Sequence, residues 1–210
     1  MKKNCTEVVF ILDRSGSMCG LEKDTIGGFN SLINKQKKQD GEVLVSTVLF
    51  NDSSVVIHDR KPIDEVRLMT NKDYEVYGCT ALLDALGSSI RHIGNIHKYA
   101  RIEDVPEHTM FVIITDGMEN VSRYYSKERV KSMIEYEKEK YGWEFLFLAA
   151  NMDAIDTASQ YGIDKDHAVN YQCDSVGTRL NYEVLDEAIQ CICSGVPLSK
   201  SWKSKIEKRK

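Results

Sequence analysis

The run Val8-Val9-Phe10-Ile11-Leu12 passes straight into Asp13-Arg14-Ser15-Gly16-Ser17, and this junction restricts the fold more than any other part of the chain. Five apolar residues bounded by turn chemistry read as a strand buried on both faces. The residue leaving such a strand lies at the carboxyl edge of a sheet, where open α/β folds bind their ligands. Asp-x-Ser-x-Ser at that edge offers hard oxygen donors of low total charge, which suit Mg²⁺ or Mn²⁺ better than a soft metal. Neither serine has a neighbouring His or Lys in sequence to activate it as a nucleophile.

The rest of the chain alternates strand and helix signals. Glu7–Leu12 reads as the first strand, 21–38 as a helix with Ile26, Phe29 and Ile33 on one face, and Glu42–Phe50 as the second strand. Gly27-Gly28 inside that helix predicts a close approach to the sheet. Asn51-Asp52-Ser53 is turn chemistry, so Ser54–His58 becomes an antiparallel edge strand. Asp59–Tyr77 is a polar connection with one short helical stretch near Ile63–Leu68. Leu82, Leu86, Ile90 and Ile93 then mark an amphipathic helix, and Thr109–Ile114 a second buried strand ending at Thr115-Asp116-Gly117. A helix over 126–140 with Ser126 as its N-cap, a strand at 143–149, a short helix at 153–161, a strand at 168–171 and a helix at 178–193 complete the alternation. Gly195 and Pro197 stop the last helix. This is the pattern of a doubly wound, mostly parallel α/β sheet with one antiparallel edge strand and helices on both faces.

Length and charge narrow the function classes. The 210 residues are most simply one domain, here 1–197, followed by a basic tail at 198–210. The tail carries Lys200, Lys203, Lys205, Lys208, Arg209 and Lys210 against Glu207 alone. Such a run reads first as a solvated terminus and second as a sticky patch for an acidic partner or nucleic acid. The formal net charge of −4 supplies no general field for nucleic acid. Six scattered cysteines without a Cys-x-x-Cys pair suggest reduced thiols rather than a zinc ribbon or a disulfide framework. Cys19 and Cys79, beside two of the key loops, read as small buried fillers. No apolar stretch approaches a membrane span, and the N-terminal run lacks a leader's h-region and cleavage site, so the expectation is a cytoplasmic protein without membrane contact.

Three separated segments acquire meaning together. Asp13-x-Ser15-x-Ser17 leaves the first strand, Gly78-Cys79-Thr80-Ala81-Leu82 opens a helix, and Thr115-Asp116-Gly117 leaves the later buried strand. In a doubly wound sheet these loops meet at the switch point, supplying two carboxylates and three hydroxyls. Here the chain resembles the von Willebrand factor A family, whose metal-ion-dependent adhesion site consists of Asp-x-Ser-x-Ser, then Thr, then Asp. Asp13, Ser15, Ser17, Thr80 and Asp116 match all five positions. The bacterial stand-alone A domains are closer still, through Asp-Arg-Ser-Gly-Ser-Met, Gly-Cys-Thr-Ala-Leu and Ile-Thr-Asp-Gly. The likeness extends over roughly Val8 to Ile192.

The resemblance implies that Ser15, Ser17 and Thr80 bind Mg²⁺ or Mn²⁺ through their hydroxyls, with Asp13 and Asp116 acting directly or through water. Neutral ligands leave the ion under-neutralised, so a Glu or Asp of a protein partner can complete its shell. The function implied is that of a non-catalytic, metal-dependent protein-binding module. Each residue also has an ordinary role: Asp13 and Asp116 as turn residues, Thr80 as a helix cap, Arg14 as a solvated loop arginine. Two rival functions are weaker. A Mg²⁺-dependent hydrolase or phosphotransferase of the haloacid dehalogenase kind needs a second Asp where Ser15 stands, and no nucleotide-binding glycine motif is present. An RNA-binding A domain would rest on the basic tail alone.

Overall fold

The computed structural model describes residues 1–196 and 198–209, so Pro197, the expected helix stop and domain boundary, and the tail residue Lys210 lie outside the described residues. Strands β1 (Lys2–Asp13), β2 (Glu42–Phe50), β3 (Ser54–Pro62), β4 (Pro106–Thr115), β5 (Glu144–Ala149) and β6 (Ala168–Asn170) form one sheet. Its order is β3-β2-β1-β4-β5-β6. Every pairing is parallel except β2 with β3, the antiparallel edge. Helices α1 (Glu22–Gln36), α2 (Leu82–Tyr99), α3 (Lys127–Tyr141), α4 (Ala154–Gln160), α5 (Ser175–Cys193) and α6 (Ser204–Glu207) cover both faces. The doubly wound architecture expected from the sequence is therefore the one adopted.

Strand pleating decides which residues reach which layer. Val8, Phe10 and Leu12 of β1 share a core with Phe29 and Ile33 of α1 and Leu185 and Ile189 of α5. Val9 and Ile11 point the opposite way, into a core with Leu86 and Ile90 of α2, Val130 and Ile134 of α3 and Ala158 of α4. Because β2 and β4 flank β1 on opposite sides, the sheet reverses winding direction at β1, and the crevice opens between β1 and β4. The register pairs Leu12 with Ile114, which sets Asp13 beside Thr115.

Three expectations need correction. Gly28 makes its close approach to α5, not to the sheet: a Cβ there would overlap the ring of Tyr182, while one at Gly27 would meet nothing. Cys19 and Cys79 are exposed rather than buried. The segment read as a solvated tail is docked over its described length. Trp202 and Ile206 enter the core beside α5, and Trp202 donates its indole N–H to the Asp166 carbonyl at 2.8 Å. Lys203 is buried too, its Nζ donating to the carbonyls of Lys165 and Ala168 at 2.8 Å each. Arg209 forks onto Asp174, the N-cap of α5, at 2.7 and 2.8 Å. The apolar face of this segment, and not its charge, decides where it goes.

Candidate metal centre

Asp13 and Asp116 leave neighbouring strands and are 1% and 2% exposed. Asp13 Oδ1 accepts from the Ser15 backbone N–H at 2.7 Å, and Oδ2 accepts from the Thr115 hydroxyl at 2.6 Å. The turn role and the site role thus coexist in one carboxylate. Burial pushes the Asp13 carboxyl up from its ordinary range, against the lowering effect of these hydrogen bonds. The Ser15 and Ser17 hydroxyl oxygens lie 3.1 Å apart, and Ser17 donates to Asp116 Oδ1 at 2.5 Å.

Thr80 closes the arrangement from a third loop. Its N–H donates to Asn120 Oδ1 at 3.0 Å and its carbonyl accepts from the Asn120 N–H at 3.1 Å, so the loop after β4 clasps the loop before α2. Thr80 is not the helix cap; Ala81 holds that position without a side-chain bond. Glu119 does the capping instead, its Oε2 accepting from the Leu83 N–H at 2.9 Å. Both Glu119 oxygens are occupied by backbone and hydroxyl donors, which leaves the Thr80 hydroxyl available to the centre.

Gly117 locates that centre. A Cβ built there would lie 2.7 Å from Thr80 Oγ1, 3.2 Å from Ser17 Oγ and 3.5 Å from Ser15 Oγ. Three hydroxyls from two loops thus surround one point, kept open because the residue facing it has no side chain. Among the described residues no ion pair reaches Asp13 or Asp116, while 16 pairs form elsewhere. Among the described residues no three His, Cys, Asp or Glu side chains gather to hold a metal by themselves, so an ion here must draw on the hydroxyls. Hard neutral oxygens with two carboxylates fit Mg²⁺ or Mn²⁺ in chemistry and in number.

The sequence named Asp13, Ser15, Ser17, Thr80 and Asp116, whose loops the fold brings to one edge, and missed several residues that support them. Thr115 orients Asp13, and its hydroxyl is also 3.0 Å from the Gly117 carbonyl. Tyr74, fully buried, donates to the Asp13 carbonyl. Cys173, distant in sequence, sets its thiol 3.4 Å from Asp116 Oδ2, and burial with that carboxylate pushes the thiol up to about 11. Only the strand order could have signalled these. Arg14 is not solvated: it is buried, with its guanidinium 5.4 Å over the Tyr77 ring.

These features define a doubly wound α/β domain with an oxygen-lined site at its switch point. Its fold is that of a von Willebrand factor A domain. No protein-family model matches the sequence, and no curated protein matches it. Solved structures do. The vWF domain of the type V pili tip protein Mfa5 from Porphyromonas gingivalis superposes with a TM-score of 0.66 at 10% identity, covering 92% of this chain and 97% of that one. A von Willebrand factor type A protein from Catenulispora acidiphila gives 0.56 at 13% identity, over 89% of this chain and 42% of that one. Proximal thread matrix protein 1 from the mussel byssus, with a zinc-occupied MIDAS motif, gives 0.59 at 14% identity, over 92% and 47%. The chain thus spans less than half the length of the latter two.

Proposed function

We propose that this chain is a metal-dependent protein-interaction module in which Asp13, Ser15, Ser17, Thr80 and Asp116 hold one Mg²⁺ or Mn²⁺. The observation that carries the reading is the convergence of three hydroxyls from two loops on the open point at Gly117, beside two buried carboxylates that have no ion-pair partner among the described residues. A bound ion supplies an under-neutralised positive centre that a Glu or Asp of a partner protein can complete. Ser15, Ser17 and Thr80 contribute neutral oxygens, which preserve that deficit. Asp13 and Asp116 contribute charge, Thr115 fixes the orientation of Asp13, and Asn120 fixes the backbone of Thr80.

In this reading the hydroxyls act as ligands rather than nucleophiles; among the described residues no His or Lys side chain hydrogen-bonds Ser15, Ser17 or Thr80. The mussel protein with its zinc-occupied MIDAS motif and the pilus tip domain support the reading by fold. The test is a pull-down from native lysate with Mg²⁺ and with chelator, comparing wild type with Thr80→Ala. Partners retained only by wild type with metal agree with the reading. Equal recovery under all four conditions contradicts it.

A further inference from the structure

A groove of about 750 Å³ begins at Ala81, one residue beyond Thr80, and runs between α2 and the loop leading into α3. Arg91, Arg123 and Arg129 line it, all three exposed and none in an ion pair among the described residues. In a chain of net charge −4, three unneutralised guanidiniums in one groove stand against the general field. The groove's two carboxylates are already engaged. Asp84 accepts the backbone N–H groups of Arg123, Tyr124 and Tyr125 at 2.8 to 2.9 Å, and Asp52 accepts that of Cys79 at 2.7 Å.

The loop at 119–125 serves both sites. Asn120 clasps Thr80, and three residues further on Arg123 enters the groove. Tyr124, 81% exposed, and the buried Tyr125 add aromatic surface to its wall. The Arg129 guanidinium lies 5.3 Å from the Tyr125 ring. Three guanidinium forks without an ion-pair partner among the described residues are the donor set that a carboxylate satisfies.

We propose that this groove is the docking surface for an acidic segment of the partner protein, gripping carboxylates that flank the one offered to the ion. The choice of partner rests on the reading of the neighbouring metal centre; the groove's own affinity for acidic side chains does not. Guanidinium forks bind carboxylates bidentately. A polynucleotide is disfavoured, because the formal net charge of −4 supplies no field to hold a continuous run of phosphates beyond the groove.

The test is fluorescence anisotropy with a short fluorescein-labelled glutamate-rich peptide, in Mn²⁺ and in chelator. Four proteins are compared: wild type, Arg91→Gln/Arg123→Gln, the same pair with Arg129→Gln added, and Thr80→Ala. The double variant spares the Arg129 contact with Tyr125 and so guards against a packing defect. Both arginine variants should weaken binding about tenfold or more with and without metal, whereas Thr80→Ala should remove only the part that needs Mn²⁺. Arginine variants that bind like wild type while Thr80→Ala fails overturn the groove and leave the metal centre standing. Weakening by the arginine variants with no effect of Thr80→Ala or chelator supports the groove and overturns the metal reading. Tighter binding of wild type to an RNA oligonucleotide than to the peptide overturns the acidic segment.

Discussion

Glu7 and Asp13 leave the same face of β1, six residues apart, and both are buried, yet they are treated in opposite ways. Glu7 is 0% exposed and fully neutralised: Arg60 Nε reaches Oε1 and His97 Nε2 reaches Oε2, each at 2.6 Å. The carboxylate can only accept, so each nitrogen donates. Asp13 is 1% exposed and has only neutral donors, Ser15 and Thr115, with Asp116 adding repulsion. A buried carboxylate without a cation is costly, and the cost grows when a second one lies nearby. The end of the strand that holds Glu7 supplies its counter-charge from within the chain. The end that holds Asp13 has no such counter-charge among the described residues, as the proposed metal centre requires.

This contrast can be broken or sharpened by substitution. The largest effect is expected at Glu7: Glu7→Gln removes the charge between Arg60 and His97 and should cost about 3 kcal/mol in urea unfolding, with or without Mg²⁺. A loss that depends on Mg²⁺ would erase the distinction between the two ends. Gly117→Ala tests the other end without touching a ligand. Its Cβ falls 2.7 Å from Thr80 Oγ1, so Mn²⁺ affinity should drop by about a hundredfold while the fold in chelator is retained. Asp13→Asn should raise stability in chelator by about 1 kcal/mol, because a lone buried charge disappears while the acceptor to Ser15 remains. The Thr115 hydroxyl then turns to the Gly117 carbonyl. The same variant should lose metal binding.

A third carboxylate gives the smallest effect. Asp174 lies at the surface, and the Arg209 fork holds its carboxyl down at about 2, from 3.8. A depressed carboxylate stabilises the folded state above its unfolded pKa, and that contribution is lost as pH falls through the folded one. Stability should therefore decline slightly between about pH 4 and pH 2 by an amount missing in Arg209→Gln. Acid titration of unfolding for the two proteins checks this, and identical curves would show that the docked tail gains nothing from the pair.

Local pattern carried much of the fold. β2 and the start of β3 fall where periodicity and the Asn51-Asp52-Ser53 turn put them, and the three loops chosen for the centre come together at one edge of the sheet. What escaped depends on contacts distant in sequence or on signals masked by composition. β1 begins at Lys2 rather than Glu7, because Asn4 is exposed and takes a positive φ of 56° that interrupts the alternation. β3 continues to Pro62 past a similar break at Arg60. The docking of 198–209 was hidden by its lysines, although Trp202 and Ile206, four apart, already mark one helical face. Thr115 and Cys173 act through partners that only the strand order brings near.

The central claim is that the carboxyl edge of β1 and β4 holds one hard divalent ion on Asp13, Ser15, Ser17, Thr80 and Asp116. Calorimetric titration of the chelator-treated protein with Mn²⁺ tests it directly, with Gly117→Ala and Thr80→Ala alongside. Saturable uptake of one ion per wild-type chain, lost in Thr80→Ala and weakened about a hundredfold in Gly117→Ala while their melting in chelator stays normal, is the predicted result. No uptake by wild type, or equal uptake by all three proteins, would contradict it.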